Sequence, residues 1–426
     1  MNVLLLGSGG RENALAWKIY QSSNLEKLYI APGNAGTSAI AQNVGLNLSD
    51  FNKISEFIIK NKIDLLLIGP EQPLVEGIVD FFKENQLHKN LLIIGPDKIS
   101  AQLESSKNFA KQFMQKYKIP TAKYFTATKN NIAEAINFME KLSAPYVLKA
   151  DGLAAGKGVL ILSDIEEAKK ELNNILNGKF GNAGNQVVIE EFLDGIECSV
   201  FILTDGKNYI LLPEAKDYKR VGEGDTGLNT GGMGAISPVS FFNGEFKTKT
   251  IEKIIIPTIN GIKTENFDYK GFIFFGLINV NNEPYVIEYN VRMGDPETEV
   301  VMPRIKTDFL QLLIKTAKQE LADVVIDIAE ENCCTVMLVS GGYPENYEKN
   351  KIITGLDNLS DSIIFHAATE IKEDKIYSSG GRVVAVTSIG KNLKEALLKS
   401  YKSIDSIYFE KMYYRKDIGY EFIDKK

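Results

Sequence analysis

The densest group of chemically useful side chains lies at residues 286–300, in the segment VIEYNVRMGDPETEV. Side chains alternate along a strand, so Glu288, Asn290 and Arg292 are expected on one face. A carboxylate and an amide oxygen suit a hard Mg²⁺ ion that bridges phosphate groups, and an arginine can clamp a carboxylate or a phosphate. Because a strand with three such residues on one side packs poorly into a core, the segment predicts a metal and anion site.

The turn GSGGRE at residues 7–12 is a second candidate site. Gly9 and Gly10, placed ahead of a helix, would leave backbone N–H groups free for an anion, and the helix dipole adds to that attraction. A dinucleotide-binding interpretation fits poorly, since Glu12 replaces the third glycine and the second strand ends in Ile30 and Ala31 without an acidic residue. We therefore expect a phosphate cradle, and the open alternative is a tight turn that binds nothing.

The loop DGLAAGKGV at residues 151–159 looks like a Walker A loop but lacks its key positions. Asp151 replaces the first glycine, and Gly158 replaces the Ser or Thr that binds magnesium. A glycine-rich loop that carries Lys157 suits a lid over a triphosphate, and Lys149 at the end of the preceding strand would be a second cation. The alternative, a plain hairpin with two surface lysines, stays open.

The segment VIEEFLDG at residues 188–195 ends an apolar strand with the carboxylates of Glu190 and Glu191. Backbone groups at such a hinge could bind adenine, and a carboxylate could accept hydrogen bonds from ribose hydroxyls. The pair is a weak signal by itself, because adjacent glutamates are usually solvated.

Periodicity indicates which elements position these residues. Up to about residue 100, short apolar strands at 3–6, 28–30, 64–68 and 91–94 alternate with helical patterns, which predicts a parallel, doubly wound α/β sheet. The carboxyl ends of such strands form the ligand crevice, so the turns at 7–12, 69–73 and 95–97 should line one pocket.

The rest of the chain follows other patterns. We expect one helix from 98 to about 117 and a junction at 119–120, followed by strand, helix, strand, glycine loop, strand, helix and strand over 123–193. A glycine-rich stretch at 221–238 then leads to a helix at 245–264 and strands at 272–280 and 285–290. From about 330 onward, short strands and one helix near 391–404 predict a new α+β unit.

Composition limits the possible classes of function. An apolar content of 44% and a charged content of 24% are typical of a soluble globular protein, and a formal charge of −6 without a basic block argues against nucleic acid as the main partner. Cys198, Cys333 and Cys334 form neither a metal pattern nor a disulfide framework. With neither a signal peptide nor an apolar run near the length of a membrane span, we expect a cytoplasmic protein without a membrane partner.

Nine motifs occur in the order GSGGREN, APGNAGT, GPEQPLVEG, ADGLAAGKGV, EEFLDG, DTGLNTGGMGAISP, RMGDPET, FHAAT and SGGRVVAV. Together they resemble the ATP-grasp ligases and, within them, the phosphoribosylamine–glycine ligases. The resemblance implies an N-terminal substrate-binding domain over 1–104, a central ATP-grasp fold over 105–325 with its lid at about 123–192, and a small C-terminal α+β domain over 326–426. It also implies ligation of glycine to 5-phosphoribosylamine with ATP, in purine biosynthesis, and transient contact with neighbouring enzymes of that pathway.

The resemblance also implies roles for particular residues. ATP would contact Lys107, Lys149, Gly156, Lys157, Gly158, Glu190, Glu191, Leu193 and Glu197. The ribosyl substrate would lie at Gly9, Gly10, Arg11, Glu12, Asn34 and Glu71, glycine would lie at Asp217 and Arg292, and Asp295 would also contact substrate. Mg²⁺ or Mn²⁺ would bind Glu288 and Asn290, and Arg292, Lys157 and Asp217 would be catalytic. The sequence departs from the family pattern at Tyr218, Leu228 and Met293, which puts the shape of the amino-acid pocket in question.

A carboxylate is inert to amines, so such an enzyme would first phosphorylate glycine to a glycyl phosphate and would need no covalent nucleophile. Its task would be positioning and charge stabilisation, and His88 and His366 would be structural. Two rivals remain. An ATP-grasp carboxylase acting on bicarbonate would share the ATP site but lack the glycine pocket. A regulator with a dead site should have lost Lys149, Lys157, Glu288 or Asn290, and all four are present.

Overall fold

The computed structural model describes residues 1–152, 158–357 and 359–423 of this chain, apart from the side chain of Asn182. Its N-terminal part is a parallel sheet with helices on both faces, as predicted. The strands are β1 (Asn2–Gly7), β2 (Lys27–Pro32), β3 (Gln42–Asn43), β4 (Leu65–Ile68) and β5 (Leu92–Pro96), and the helices are α1 (Gly10–Tyr20), α2 (Phe51–Asn61), α3 (Glu71–Glu76), α4 (Ile78–Glu84) and α5 (Gln102–Ser105).

The strand β1 lies at the centre of this sheet because its side chains are apolar on both faces. Leu4 and Leu5 are completely buried on opposite sides, as expected for a parallel strand covered by helices. In the order β5-β4-β1-β2-β3, Leu5 pairs with Ile30 on one side and with Leu67 on the other. The carboxyl end of β1 therefore leads into GSGGRE at the top of the sheet.

The middle of the chain contains the elements that carry most of the predicted site residues. They are α6 (Lys107–Lys116), β6 (Tyr124–Ala127), α7 (Ile132–Met139), β7 (Tyr146–Ala150), β8 (Val159–Leu162), α8 (Ile165–Asn174), β9 (Val187–Glu191), β10 (Ile196–Thr204), β11 (Tyr209–Leu211), β12 (Lys216–Asp217), β13 (Arg220–Gly222), β14 (Thr226–Asn229), β15 (Gly234–Ser237), α9 (Gly244–Thr250), α10 (Ile256–Thr264), β16 (Tyr269–Val280), β17 (Glu283–Asn290), α11 (Thr298–Val301) and α12 (Phe309–Lys318).

Within this part, the segment at about 123–192, which was predicted to be a lid and is called the lid below, has the predicted order of elements. Its antiparallel sheet runs β6-β9-β7-β8, and α7 and α8 pack on it through a separate apolar core. A second sheet, β11-β10-β16 with β17 beside β16, is continuous with the N-terminal sheet because Tyr269 and Lys270 of β16 pair with Pro96 and Gly95 of β5. The strand that carries Glu288 is thereby fixed relative to GSGGRE.

One prediction about the start of this region was wrong in detail. The single helix expected from 98 to about 117 is two helices, α5 and α6, because Ser106 is extended and its hydroxyl accepts a hydrogen bond from Phe109 N as the N-cap of α6. That the turn at 95–97 lines one pocket with the other two glycine turns stays a prediction. Asp97 in this turn exchanges hydrogen bonds with Asp268, next to the start of β16.

The C-terminal part is the predicted α+β unit, built from β18 (Asn332–Val339), β19 (Ile352–Ile353), β20 (Ile363–His366), β21 (Thr369–Lys372), β22 (Lys375–Ser378), β23 (Arg382–Gly390), α13 (Leu393–Ile404) and α14 (Tyr420–Ile423). Its main sheet, β12-β15-β18-β23-β20, takes two strands from the middle of the chain. The glycine-rich stretch at 221–238 is therefore part of a sheet as well as a connection. Among the described residues, no helix has the length and apolar character needed to cross a membrane.

Candidate active site

Three lysines gather around one glutamate at the base of the lid. Lys149 Nζ on β7 lies 2.9 Å from Glu190 Oε1 on β9, and Lys111 Nζ on α6 lies 3.2 Å from the same oxygen. Lys107 lies nearby, at the start of α6. We call Lys107, Lys111, Lys149 and Glu190 the lysine cluster. Burial lowers the pKa of Lys107 and lowers the pKa of Lys111 to about 8, and in both cases it outweighs nearby carboxylates. The cluster has more cationic side chains than Glu190 can neutralise, which suits a polyphosphate.

Asp151 connects the lid loop to the lysine cluster. Its carboxylate accepts hydrogen bonds from Asn108 N at 2.7 Å and from Ser106 Oγ at 3.1 Å, and Lys107 Nζ donates to Gly152 O at 3.3 Å. Asp151, which replaces the first glycine of a Walker A loop, therefore anchors the start of this loop on α6. At its other end, Gly158 O accepts a hydrogen bond from Ala150 N at 2.8 Å. Gly156 and Lys157 lie outside the described residues.

The other predicted ATP contacts have different surroundings. Glu191 accepts a hydrogen bond from Lys123 N at 2.9 Å, so its carboxylate is held at the lid edge. Leu193 is half-buried in the hinge after β9. Glu197 Oε2 lies 2.6 Å from Lys219 Nζ and belongs to a group of charges around Asp217.

Glu288 and Asn290 lie on β17, where a bulge opposite Gly276 and Leu277 shifts the register. Arg292 lies beyond the strand end, so the alternation predicted for three residues holds only for the first two. Asn290 is buried and Glu288 is half-buried, and neither side chain forms a hydrogen bond with another described residue. The carboxylate of Glu288 is close enough to raise the pKa of Lys107 against the effect of burial.

These two side chains fit a metal only together with a phosphorylated ligand. Among the described residues, no group of three or more His, Cys, Asp or Glu side chains could hold a metal by itself. Magnesium commonly takes one or two protein oxygens and completes its shell with waters and substrate phosphates. The carboxylate of Glu288, which lies near Lys107, and the amide of Asn290 on the same strand meet that requirement, because neither has a hydrogen-bond partner among the described residues.

Asp217 lies in a separate, acidic group of side chains, next to the Glu197–Lys219 ion pair. We call this group the acidic pocket. Burial raises the pKa of Asp217, and Lys219 opposes that rise. Glu297 lies close by and accepts a hydrogen bond from Ser199 Oγ at 3.0 Å. Burial and the charge of Asp217 raise the pKa of Glu297 to about 7. A pocket with several carboxylates around one lysine can hold an ammonium group.

The GSGGRE turn differs from the expected open cradle. Gly7 adopts a φ of +127°, and a Cβ there would collide with the side chain of Glu12. Glu12 Oε2 accepts a hydrogen bond from Gly9 N at 2.6 Å, and Asp295 Oδ2 accepts one from Arg11 N at 3.2 Å. The prediction that this turn presents free donors was therefore wrong for Gly9, because a carboxylate of the protein already accepts its N–H group.

Arg11 in that turn and two arginines from other segments, Arg292 and Arg382, each lie next to a carboxylate. Arg11 Nε lies 2.6 Å from Glu12 Oε1, Arg292 Nη2 lies 2.8 Å from Glu104 Oε1, and Arg382 Nη2 lies 3.0 Å from Asp295 Oδ1. Arg292 Nε also approaches Glu71 Oε2 at 3.4 Å. We call these residues the arginine cluster: Arg11, Arg292, Arg382, Glu12, Glu71, Glu104 and Asp295.

Opposite charges within the arginine cluster stabilise each other. Burial alone would lower the pKa of Arg11, but the charges of Glu12, Asp295 and Glu71 outweigh it and the net pKa is raised. Burial raises the pKa of Glu104, although Arg292 opposes that rise. Arg11 is therefore held in its charged form by groups of the protein.

Asn34 was expected to contact the ribosyl substrate, and its amide is used within the protein. Asn34 Nδ2 donates to Ser8 O at 2.9 Å and to His366 O at 2.7 Å, and Asn34 Oδ1 accepts from Thr37 N. The side chain therefore ties the GSGGRE turn to β20. His366 is buried there, as predicted for a structural histidine.

Sequence reasoning missed Glu104, Lys111, Lys219 and the contacts of Arg382. Lys111 and Glu104 look like ordinary helix residues, and only their positions on the buried faces of α6 and α5 set them apart. Arg382 offered one signal, because arginine is rare in this lysine-rich sequence. The three cysteines are buried in strands, as expected, and burial raises the pKa of Cys198.

Comparison with known proteins gives matches along nearly the whole chain. Family models described as phosphoribosylglycinamide synthetase match in three parts: the N domain at residues 1–104, the ATP-grasp (A) domain at 105–298 and the C domain at 333–421. The phosphoribosylamine–glycine ligase of Fusobacterium nucleatum is 46% identical over 431 residues, covering 100% of both chains. That of Escherichia coli K12 is 41% identical over 433 residues, again with 100% of both chains covered.

Solved structures agree with these matches. The crystal structure of phosphoribosylamine–glycine ligase from Thermotoga maritima superposes with a TM-score of 0.85 and 35% identity, covering 98% of this chain and 100% of that one. A biotin carboxylase from Campylobacter jejuni superposes with a TM-score of 0.74 and 15% identity, covering 100% of this chain and 95% of that one. At that identity the second match shows a shared fold alone.

Proposed function

Because the chain belongs to the phosphoribosylglycinamide synthetase family, we propose that it ligates glycine to 5-phosphoribosylamine with ATP, in purine biosynthesis. The observation that carries this proposal is a pair of oxygen ligands on β17, Glu288 and Asn290, without hydrogen-bond partners among the described residues. Glu288 lies close to the surplus lysine charge at the base of the predicted lid. Such a pair suits a triphosphate with its metal, and the acidic pocket at Asp217 beside it suits the ammonium group of an amino acid.

The reaction needs two bond exchanges. In the first, a carboxylate oxygen of glycine attacks the terminal phosphorus of ATP, the bond from that phosphorus to the bridging oxygen breaks, and ADP leaves. In the second, the amine nitrogen of phosphoribosylamine attacks the carbonyl carbon of glycyl phosphate, the carbon–oxygen bond to phosphorus breaks, and phosphate leaves with that oxygen. The nitrogen then loses a proton.

The residues of this chain bind and orient the reacting groups. Lys107 and Lys149 would neutralise the phosphates, and Asp217 would hold the glycine ammonium so that its carboxylate faces the triphosphate. Arg292, fixed by Glu104 and Glu71, would present its positive charge beside the reacting carboxylate. A Mg²⁺ or Mn²⁺ ion held by Glu288 and Asn290 would offset charge on the transferring phosphoryl group. Lys157 would cover the nucleotide from the lid.

The function is tested by coupled ADP release. Purified protein should release ADP with glycine plus phosphoribosylamine and should stay silent with bicarbonate plus biotin or with bicarbonate plus aminoimidazole ribonucleotide. The reverse preference would favour a carboxylase, and silence with every substrate would favour a regulator with a dead site. Contact with neighbouring enzymes of the pathway stays a prediction.

The intermediate is tested by isotope transfer. Glycine labelled with oxygen-18 in its carboxylate should deliver one labelled oxygen to each phosphate released and none to ADP. Replacing all three cysteines by serine should leave this transfer unchanged, because the thiols lie buried in strands and burial raises their pKa values. Unlabelled phosphate after a single turnover, read by mass spectrometry, would eliminate glycyl phosphate as the intermediate.

A further inference from the structure

The hairpin of β13 and β14 begins at the acidic pocket. At its base, Lys219 O accepts hydrogen bonds from Thr230 N at 2.7 Å and from Thr230 Oγ1 at 2.8 Å. The side chain of Lys219 is half-buried and pairs with Glu197. Burial lowers the pKa of Lys219, but the charges of nearby carboxylates, those of Glu197, Asp217 and Glu288, outweigh it and raise the pKa. The base of the hairpin therefore sets where Lys219 stands between the acidic pocket and the predicted metal ligands.

The hairpin has few contacts of its own. Its strands pair at Arg220 with Asn229 and at Gly222 with Thr226, and the register shifts between these pairs. Every residue of β14 is exposed, and an isolated two-stranded hairpin is at best marginally stable in water. Asp225 in its turn has a φ of +54°, a left-handed conformation that disfavours residues with a side chain. Contacts from outside the hairpin must therefore hold it in place.

Arg415, from the C-terminal part of the chain, supplies such contacts. Its side chain is completely buried. Arg415 Nε and Nη2 donate to the two carboxylate oxygens of Asp417 at 2.8 and 2.7 Å. Arg415 Nη1 donates to Asp225 Oδ1 at 2.6 Å and to Arg220 O at 3.1 Å. One planar guanidinium thus joins the C-terminal segment to both the turn and the first strand of the hairpin.

Other residues of the same C-terminal segment support this link. Asp417 Oδ2 accepts a hydrogen bond from Gly224 N at 2.7 Å, and Tyr413 Oη donates to Val221 O at 2.9 Å. Asp417 is itself oriented by its two bonds with Arg415. The contacts at the turn therefore depend on the guanidinium of Arg415, directly or through Asp417.

We propose that Arg415 is a positioning residue of the ligase: by fixing the hairpin of β13 and β14 it sets the place of Lys219, and so shapes the acidic pocket for the ammonium group of glycine. The inference rests on the proposed function. Among the described residues, the side chain of Arg415 hydrogen-bonds only to the hairpin and to Asp417, so it acts through the hairpin and not on a substrate.

The test measures glycine affinity by calorimetry on the full chain in the presence of a non-hydrolysable ATP analogue. Asp225→Asn removes the charged partner in the turn and leaves Arg415 paired with Asp417, so the protein should still fold. We expect it to weaken glycine binding about fivefold, because displacement of a positioned group lowers its effect even when the change lies far from it. The affinity for the ATP analogue should not change.

Arg415→Lys is a second variant, because lysine keeps the charge but cannot reproduce the planar fork. It should weaken glycine binding at least as much as Asp225→Asn. Asp374→Asn is the matched control. Asp374 is exposed in the turn between β21 and β22, also has a left-handed conformation, and forms no side-chain hydrogen bond or ion pair with another described residue. This control should leave glycine affinity unchanged.

Hydrogen exchange of residues 220–232, measured by mass spectrometry, reports on the hairpin itself. Exchange should be faster in Asp225→Asn and Arg415→Lys and unchanged in Asp374→Asn. Unchanged exchange, or wild-type glycine affinity in both variants despite faster exchange, would overturn the proposal, because Arg415 would then be a fold anchor alone. A wild-type protein that binds no glycine would overturn the proposed function and this inference with it, whereas glycine binding that the variants do not affect overturns the inference alone.

Discussion

The lysine cluster and the arginine cluster differ in what their charges are bound to. Lys111 and Lys149 pair with Glu190, and Lys107 has only a backbone carbonyl, Gly152 O, as a hydrogen-bond acceptor among the described residues. The arginines each face a carboxylate of their own. The lysine cluster thus keeps a surplus of positive charge for a ligand, and burial lowers the pKa of Lys107 and Lys111, whereas the charges of the arginines are paired within the protein.

The comparison teaches that rarity of a residue type does not by itself identify a ligand contact, and the role proposed for Arg292 therefore stays a prediction. Arginine is rare in this chain, and a rare arginine invites assignment to a phosphate or a carboxylate of substrate. Here its planar, multidentate guanidinium joins GSGGRE, GPEQP, RMGDPE and SGGRVV to each other, segments that are far apart in sequence. The common residue, lysine, supplies the surplus positive charge of the lysine cluster, which Glu190 neutralises only in part.

The largest effect should follow from Glu288→Gln, which separates ligand binding from stability. Removing one carboxylate weakens the metal that offsets phosphate charge, so turnover should fall by about two orders of magnitude. Stability should hardly change, because the side chain forms no hydrogen bond with another described residue. Steady-state rates at saturating magnesium measure turnover, and thermal unfolding measures stability. Wild-type rates would contradict the metal assignment.

Arg292→Met should differ from Glu288→Gln, because it should lower stability in addition to any effect on turnover from the proposed place of Arg292 beside the reacting carboxylate. It leaves Glu104 buried without its partner, and breaking a buried ion pair on one side costs about 3 kcal/mol of unfolding free energy. Arg220→Met is the control, because the Arg220 side chain donates to Gly227 O at an exposed site and its loss should change little. Adding Glu104→Gln to Arg292→Met should restore part of the loss, as measured by denaturant unfolding. A loss equal to that of the control would show that the pair contributes nothing.

The sequence predicted features that depend on local periodicity and missed contacts that join distant segments. The lid, the parallel sheet and the position of Glu288 and Asn290 on one strand depend on local periodicity, which a sequence carries. The pairing of Arg382 with Asp295 joins residues 87 positions apart, and no local pattern encodes it. Ser106 could have been identified, since serine is a preferred N-cap. The assignments of individual residues to ATP, glycine and the ribosyl substrate stay predictions.

The lysine cluster should also give a pH signature. Because burial lowers the pKa of Lys111 from 10.5 to about 8, the folded protein releases this proton near pH 8 while the unfolded chain keeps it up to about pH 10.5. The unfolded state binds more protons in that window, so this group makes the unfolding free energy rise with pH, by on the order of 1 kcal/mol per pH unit. Lys111→Met should lack that contribution, and the exposed Lys129→Met should retain it. The slope of unfolding free energy against pH is measured by denaturant titrations at several pH values. Equal slopes for the wild type and Lys111→Met would refute a charged Lys111 that is destabilised by burial.

The smallest expected effect concerns Tyr218, where the sequence departs from the family pattern next to Asp217. Neighbouring residues of a strand face opposite sides, and Lys216 Nζ lies 4.3 Å from the centre of the Tyr218 ring, so these two share the side away from Asp217. Tyr218 Oη donates to Glu421 Oε2 at 2.8 Å, and Lys216 Nζ lies 3.0 Å from Glu421 Oε1. The tyrosine therefore fastens α14 to β12.

Tyr218→Phe should accordingly cost about 1 kcal/mol of unfolding free energy, from one buried hydrogen bond, and should leave the Michaelis constant for glycine within about twofold of the wild type. Asp217→Asn is the matched comparison on the other face of the strand: it should raise that constant by about tenfold or more, because the ammonium group loses a charged partner. If Tyr218→Phe instead weakened glycine binding as strongly as Asp217→Asn, the departure would lie in the amino-acid pocket after all. Calorimetric titration of glycine in the presence of a non-hydrolysable ATP analogue distinguishes the two results without depending on turnover.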